Sequence, residues 1–264
     1  MQTLVIQSRR PGAGPPWLEP CLASVRGWAE ARGYAYRLLG DELLDLVPAW
    51  ARAKAGAQTQ VAADWARLEA ARGALADGWR RVVWLDADVL VFDAAALSVD
   101  IEESFAFGAE VWVQRDRRGR LAARRNVHNA LCVFRAGNPV LDFYADACRR
   151  VLASYRGEGG MPPQLLGPKL LTGLDRLVGL PQIAAVGMAS PLVQADLARG
   201  GGPALDLLTA KSRGRPAALN LCASLAGRRI DGVDVTPALT ARAVERLLSA
   251  GAAALAGDPD SYTA

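Results

Sequence analysis

The chain opens on Thr3-Leu-Val-Ile-Gln-Ser8, a short run of strand-forming residues. After a loop of Pro and Gly, the apolar positions from Leu18 to Ala31 recur at helical spacing. Gly33 ends that helix, and Tyr34 to Leu38 reads as a second strand. From Gln58 to Ala76, Val61, Trp65, Leu68 and Leu75 keep a helical period while Asp64, Arg67, Glu69 and Arg72 are interleaved among them. Arg81-Val-Val-Trp-Leu85 follows, apolar along its length, and stops at Asp86-Ala-Asp88 before Val89-Leu-Val-Phe-Asp93. Further strands are expected at Phe105 to Gly108, Val111 to Gln114 and Ala130 to Phe134, with a helix from about Pro139 to Ser154. Beyond Tyr155 the chain turns Gly- and Pro-rich, and the pattern loses its regularity. Continuous apolar strands alternating with amphipathic helices predict an α/β fold with a parallel sheet covered on both faces. No internal repeat or linker divides it, so a single domain is expected over residues 1–264.

Composition agrees with a folded chain, since 51% of residues are hydrophobic and 22% charged. The formal net charge of +4 argues only weakly for an anionic polymer partner, because just three of the 31 basic residues, Lys54, Lys169 and Lys211, are lysines. Such an excess of Arg is what a GC-rich coding genome produces. Six arginines do fall in the eleven positions Arg115 to Arg125. That loop reads either as a solvated hairpin tip or as a site for phosphate on an anionic acceptor or membrane surface. No aromatic residue interleaves with these arginines, so nucleic acid is not expected as a partner. Cys21, Cys132, Cys148 and Cys222 contain no Cys-x-x-Cys pair and read as buried, reduced thiols. The uncharged stretch Leu177 to Ala195 carries Pro181, Gln182, Pro191 and Gln194, which argues against a transmembrane segment. The run at Leu4 to Ile6 is too short for a signal peptide, so a soluble, cytoplasmic protein is expected.

Asp86 and Asp88 carry the clearest chemistry. Ligands of open α/β sheets collect beyond the carboxyl ends of the strands, where these two residues would lie. Two carboxylates held together repel, and a hard divalent cation relieves that repulsion. The other reading makes one aspartate a turn cap and leaves the second solvated. Trp65, Trp84 and Trp112 fall in predicted helix or strand and are expected in the core, whereas Trp17 and Trp50 are better placed for an exposed face.

The segment Val82-Val-Trp-Leu-Asp-Ala-Asp-Val-Leu-Val91 resembles the metal-binding Asp-x-Asp stretch of GT-A glycosyltransferases. Other segments follow in the family's order. Asp64-Trp-Ala-Arg67 is similar to the pattern whose Arg approaches the donor diphosphate, and His128-Asn-Ala-Leu-Cys-Val-Phe-Arg135 looks like the strand whose Asn contacts the donor sugar. Gly167-Pro-Lys-Leu-Leu-Thr172 is similar to a Gly-Pro segment that shapes the acceptor side. The resemblance spans roughly residues 3 to 225. It implies a Rossmann-like GT-A mixed sheet with helices on both faces. Residues about 1–135 would form the nucleotide-sugar-binding half and about 136–264 the acceptor-side half.

The same resemblance implies a nucleoside-diphosphate sugar donor, Mn2+ or Mg2+ as cofactor, and a carbohydrate or lipid-linked acceptor. Asp86 and Asp88 would be catalytic and metal-binding. Ser8, Arg9, Asp64, Arg67, His128, Asn129, Gly167 and Lys169 would bind substrate. Many metal-dependent members supply a late His ligand, but the sole histidine here is His128, and Leu219-Asn-Leu-Cys-Ala-Ser224 offers Asn220 instead. His128 also reads as a hydrogen-bonded structural histidine, and Ser8 and Arg9 as ordinary loop residues. Two other functions stay open: a non-catalytic nucleotide-sugar-binding relative, and a haloacid dehalogenase-type phosphatase, whose strand-end motif Leu85-Asp-Ala-Asp-Val89 also resembles.

Overall fold

The structure, a computed structural model, describes residues 2–12, 14–157 and 161–256. Eight α-helices run in order among the described residues: α1 (Leu18–Ala31), α2 (Ala49–Ala55), α3 (Thr59–Ala76), α4 (Val140–Ser154), α5 (Leu170–Val178), α6 (Pro191–Arg199), α7 (Pro203–Lys211) and α8 (Pro237–Ala250). The strands of the main sheet are β1 (Thr3–Ser8), β2 (Ala35–Leu39), β3 (Arg81–Leu85), β5 (Phe105–Arg115), β6 (Leu121–Arg135) and β7 (Gln182–Ile183). A second sheet holds β4 (Val89–Val91), β8 (Val186–Met188) and β9 (Ala218–Asn220), and β10 (Arg229–Ile230) with β11 (Val233–Asp234) forms a small hairpin.

The main sheet has the order β2-β1-β3-β6-β5-β7. β1 pairs in parallel with β2 and β3, but β6 runs antiparallel to both β3 and β5, so the wholly parallel sheet expected from the hydrophobic pattern is replaced by a mixed one. The residues expected as strands at 105–108 and 111–114 belong to one strand, and the strand expected at Ala130 extends back to Leu121. Only residues 116–120 of the Arg-rich segment remain as the hairpin turn; Arg124 and Arg125 lie in β6.

One irregularity in this hairpin shapes the functional region. Phe107 pairs with Cys132, but the next residue, Gly108, pairs with His128, so Asn129, Ala130 and Leu131 are extra on the β6 side. Bulges of this kind bend a strand and re-aim its side chains. Here the step leaves Asn129 and Ala130 at the ends of β1 and β3, where the Ala130 carbonyl accepts from the Asp86 N–H at 3.0 Å. The bulge requires a glycine opposite it, because a Cβ on Gly108 would fall 2.0 Å from the His128 ring.

Local sequence explains the flanking elements. In α1, Leu18, Cys21, Leu22, Val25, Trp28 and Ala29 make one buried stripe at helical spacing, and Gly33 turns the chain away at φ +66°. β3 is buried at all five positions because helices cover both faces. Each Val or Leu there contributes about 1.5–3 kcal/mol by burial. Ser190 and Thr236 cap α6 and α8 by accepting from Val193 N and Leu239 N, with Pro191 and Pro237 at the first helical positions. The stretch 177–195 crosses β7, β8 and the start of α6, and no described helix is long and apolar enough to cross a membrane.

Candidate functional site

A cleft of about 970 Å³ opens where β1 and β3 end. Its walls come from the tip of β1, the inner face of α3, the Asp86–Asp88 turn, the β5-β6 hairpin, α5, and the segment after β9. Of the residues singled out from sequence, Ser8, Arg9, Arg67, Asp86, Asp88, His128, Asn129, Lys169 and Asn220 all line it. Asp64 and Gly167 lie directly behind that surface.

β3 stops at Leu85, which lets the next three residues turn into the cleft. The turn is pinned at both ends: the Asp86 carbonyl accepts from the Gln7 side-chain amide at 3.0 Å, and the Asp88 carbonyl accepts from Leu221 N–H at 2.9 Å. Gln7 is oriented in turn by the Tyr36 hydroxyl, which donates to its Oε1 at 3.0 Å. Asp86 Oδ1 accepts from the Trp84 indole N–H at 2.8 Å and pairs with Arg67 at 2.9 Å. Asp88 Oδ1 accepts from the Asn220 amide at 2.7 Å, and Oδ2 from Ala223 N–H at 2.7 Å. Burial, with the charge of Asp86 added, pushes the Asp88 carboxyl above the ordinary range.

Arg67 reaches the cleft, and both of its terminal nitrogens are engaged by the protein itself, while its buried Nε is left without a partner among the described residues. The guanidinium donates to the Asn129 carbonyl at 2.7 Å, pairs with Asp64 at 3.0 Å and with Asp86 at 2.9 Å, and lies 5.2 Å from the Trp84 ring. The direct approach to a donor diphosphate that the resemblance implied therefore gives way, in this arrangement, to holding Asp86 in place. Asp64 is buried, and that burial lifts its carboxyl to about 6 against the opposing pull of Arg67 and Asn129. Burial works against the charge of Arg67 as well, yet Asp86 and Asp64 outweigh it and raise its pKa. The Asp64 shift is chiefly the cost of burial, whereas that of Arg67 reflects two carboxylates sharing its single guanidinium.

Asn129 donates its amide to Asp64 at 2.8 Å. The backbone at Gly167 closes over this pair: a Cβ there would lie 2.7 Å from Asn129 Nδ2 and 2.9 Å from Asp64 Oδ2. Glycine is thus the residue that fits between the Asp64-Asn129 pair and the cleft wall.

His128 is 1% exposed, and both ring nitrogens have backbone partners. Nε2 meets the Val186 carbonyl at 3.0 Å, and Nδ1 accepts from Ala130 N–H at 3.2 Å. Burial brings its pKa down to about 4, so it is neutral at pH 7 with the proton on Nε2. This geometry gives His128 a structural role at the bulge and leaves neither nitrogen for a sugar hydroxyl, correcting the substrate-binding assignment. Asn220 does reach Asp88, with Leu219 and Leu221 anchored on the opposite side. Its carbonyl oxygen, however, accepts from Cys222 N–H at 2.8 Å and its amide is turned to Asp88. As placed, Asn220 orients the carboxylate through its amide, while its side-chain oxygen is held by Cys222 N–H.

Ser8 and Arg9 sit at the cleft mouth, where Arg9 pairs with Glu19. Lys169 is exposed on the opposite wall. Trp17, expected at the surface, is 6% exposed and packs into the core, whereas Trp50 is 41% exposed. All four cysteines are buried free thiols, and burial pushes each above its ordinary pKa, so none is poised as a nucleophile.

Glu110 and Gln114, which the sequence did not single out, and Trp112, expected in the core but only half-buried, alternate with the core residues Val111 and Val113 along β5 and face the cleft. The period-two pattern was the available signal. Glu110 accepts from the Asn126 amide at 2.7 Å, and its burial raises its pKa.

Among the described residues no group of three His, Cys, Asp or Glu forms a metal site of the protein alone. The donor set still suits a cation brought with a nucleotide. Asp64 and Asp86 share one guanidinium, Arg67, and Asp88 has no cationic partner among the described residues, so the turn at the strand end is locally acidic while Lys169, Arg124 and Arg176 line the cleft walls. Asp86 Oδ1 is taken up by Trp84 and Arg67, but each Asp88 oxygen accepts a single hydrogen bond, from Asn220 and from Ala223 N–H, and keeps a lone pair.

No family model matches the chain, and no curated protein matches it by sequence. Among solved structures, the crystal structure of a glycosyltransferase involved in the glycosylation of the major capsid of PBCV-1 superposes with a TM-score of 0.51 at 9% identity. That match covers 93% of this chain and 100% of that one. At this identity the fold is what the two share. The chain is a single mixed α/β domain with a glycosyltransferase-like fold, its cleft lying at the strand ends.

Proposed function

We propose that this chain is a metal-dependent glycosyltransferase, moving a sugar from a nucleoside-diphosphate donor to a carbohydrate or lipid-linked acceptor. The observation that carries this reading is the pair Asp86 and Asp88 at the mouth of a buried strand, with more negative charge around them than Arg67 neutralises. Mg2+ and Mn2+ sites are commonly made by one or two carboxylates together with substrate phosphates and water. Asp88 and Asp86 would hold such an ion, which when bound would neutralise the departing nucleoside diphosphate.

The remaining residues position and shield. Arg67 and Trp84 fix Asp86, while Asn220 and Ala223 N–H fix Asp88. Asn129, held by Asp64 and covered by Gly167, offers the polar surface next to the donor sugar. Ser8 and Arg9 flank the nucleoside end, and Lys169 adds positive charge on the acceptor-side wall. The PBCV-1 neighbour is itself described as a glycosyltransferase, which is consistent with this reading.

The test is release of nucleoside diphosphate from UDP-, GDP- and CDP-sugars with Mn2+ present. Release from at least one donor, lost on chelation and in Asp88→Asn, is expected. Donor binding without turnover would favour a non-catalytic relative, and absence of both binding and turnover would overturn the proposal.

A further inference from the structure

α5 carries cations and uncovered apolar side chains side by side. Lys169 precedes its first residue and Arg176 lies two turns on, with Thr172 and Gly173 between them on the cleft-lining face. Lys169 and Arg176, with Arg124 on the β6 wall, have no ion-pair partner among the described residues. The helix's one acidic residue is turned inward, since Asp175 Oδ1 accepts from Leu180 N–H and from the Gln182 amide, both at 2.9 Å. Immediately after Arg176, Leu177 is 81% exposed and Val178 71%, the most exposed large hydrophobic residues among those described.

We infer that α5 docks along its length on an anionic lipid surface, with lipid phosphates meeting Lys169 and Arg176 and acyl chains meeting Leu177 and Val178 at its C-terminal end. The inference rests on the reading of the cleft as a glycosyltransferase site and narrows its acceptor to a lipid-linked one. Charge complementarity selects the occupant. Free phosphate would satisfy the cations but leave Leu177 and Val178 in water, and a neutral sugar would use neither. An acidic lipid uses both, in the way interfacial helices combine apolar insertion with electrostatic attraction.

The test is co-sedimentation of the full chain with vesicles of phosphatidylcholine alone and of phosphatidylcholine with 30% phosphatidylglycerol, alongside calorimetry of nucleoside diphosphate with Mn2+. Binding to the anionic vesicles is expected to exceed binding to the neutral ones by about fivefold for each engaged cation and to fall with salt. Leu177→Ser/Val178→Ser, outside the cleft lining, should lose most vesicle binding while keeping nucleotide binding, and Arg176→Glu should lose it as well. Equal binding to both vesicles, no loss in the Ser pair, or capture by inorganic phosphate or an acidic peptide without vesicle binding would overturn the inference. Vesicle binding with no nucleotide binding would sink the functional reading and leave the docking surface standing.

Discussion

Replacing Arg67 by Met tests how the site is held together, because it removes the charge while keeping much of the apolar stem. Three interactions are lost, to the Asn129 carbonyl, Asp64 and Asp86. The cost separates into two parts. Asp64 is buried, with its carboxyl at about 6 against an ordinary 3.8 while Arg67 is present. Without the guanidinium that value climbs further, and Asp64 escapes its buried charge by taking a proton. At pH 8 this escape costs about 3 kcal/mol more than in the wild type, roughly two pH units at 1.36 kcal/mol each. The sign follows from a folded pKa raised above the unfolded one: the penalty is full at high pH and fades as pH falls through about 6. The Asn129 carbonyl, left without its donor, adds about 1–3 kcal/mol at any pH. Urea unfolding followed by circular dichroism should therefore show a loss of roughly 4–6 kcal/mol at pH 8 and about 1–3 kcal/mol at pH 5. Asp64→Asn/Arg67→Met should recover most of the pH-dependent part. An equal loss at both pH values, or less than about 1 kcal/mol at pH 8, would refute the shared-guanidinium account.

His128→Gln keeps one acceptor and one donor but cannot titrate. The wild type should lose stability relative to this variant as pH falls from 6.5 towards 4, by up to about 3 kcal/mol, and a constant difference in unfolding free energy would show His128 to be protonated in the fold. Gly167→Ala places a methyl against Asn129 and Asp64; a stability loss of about 1–3 kcal/mol and a larger loss of donor turnover are expected, and unchanged values would mean that this wall is loose. Asn220→Ala frees Asp88 on one side and should weaken metal-dependent nucleotide binding about tenfold, by loss of a charge-assisted hydrogen bond. Calorimetry giving the same affinity as the wild type would leave Asn220 with a purely structural part.

Helical period located α1 and α3 closely, and the limits of β3 were legible because an apolar run there ends abruptly in two acids. Strand direction was not legible: Ala130 to Phe134 is equally apolar read either way, so the antiparallel placement of β6 left no trace in the pattern. Gly108, Ala109 and Glu110, weak strand formers in the middle of β5, also made one strand read as two. Within the site, Asp86 and Asp88 announce themselves as neighbours, but the partners that set their chemistry lie far away in sequence. Asn220 meets Asp88 across 132 residues and Arg67 meets the Asn129 carbonyl across 62. The family resemblance brought these segments together, yet it could not reveal that Arg67 and His128 would be consumed by internal hydrogen bonds. Glu110 was hidden differently, as an ordinary polar position in an alternating strand.

The central claim is that Asp86 and Asp88 make a nucleoside-diphosphate site only together with a divalent cation. Isothermal titration calorimetry with UDP, GDP and CDP, each with Mn2+ and with a chelator, measures it most directly in the wild type and in Asp88→Ala. The account predicts that at least one nucleotide binds the wild type at least tenfold more tightly with Mn2+, a difference of about 1.4 kcal/mol, and that Asp88→Ala abolishes this gain. Binding of equal strength with and without the cation, unchanged in Asp88→Ala, would contradict it.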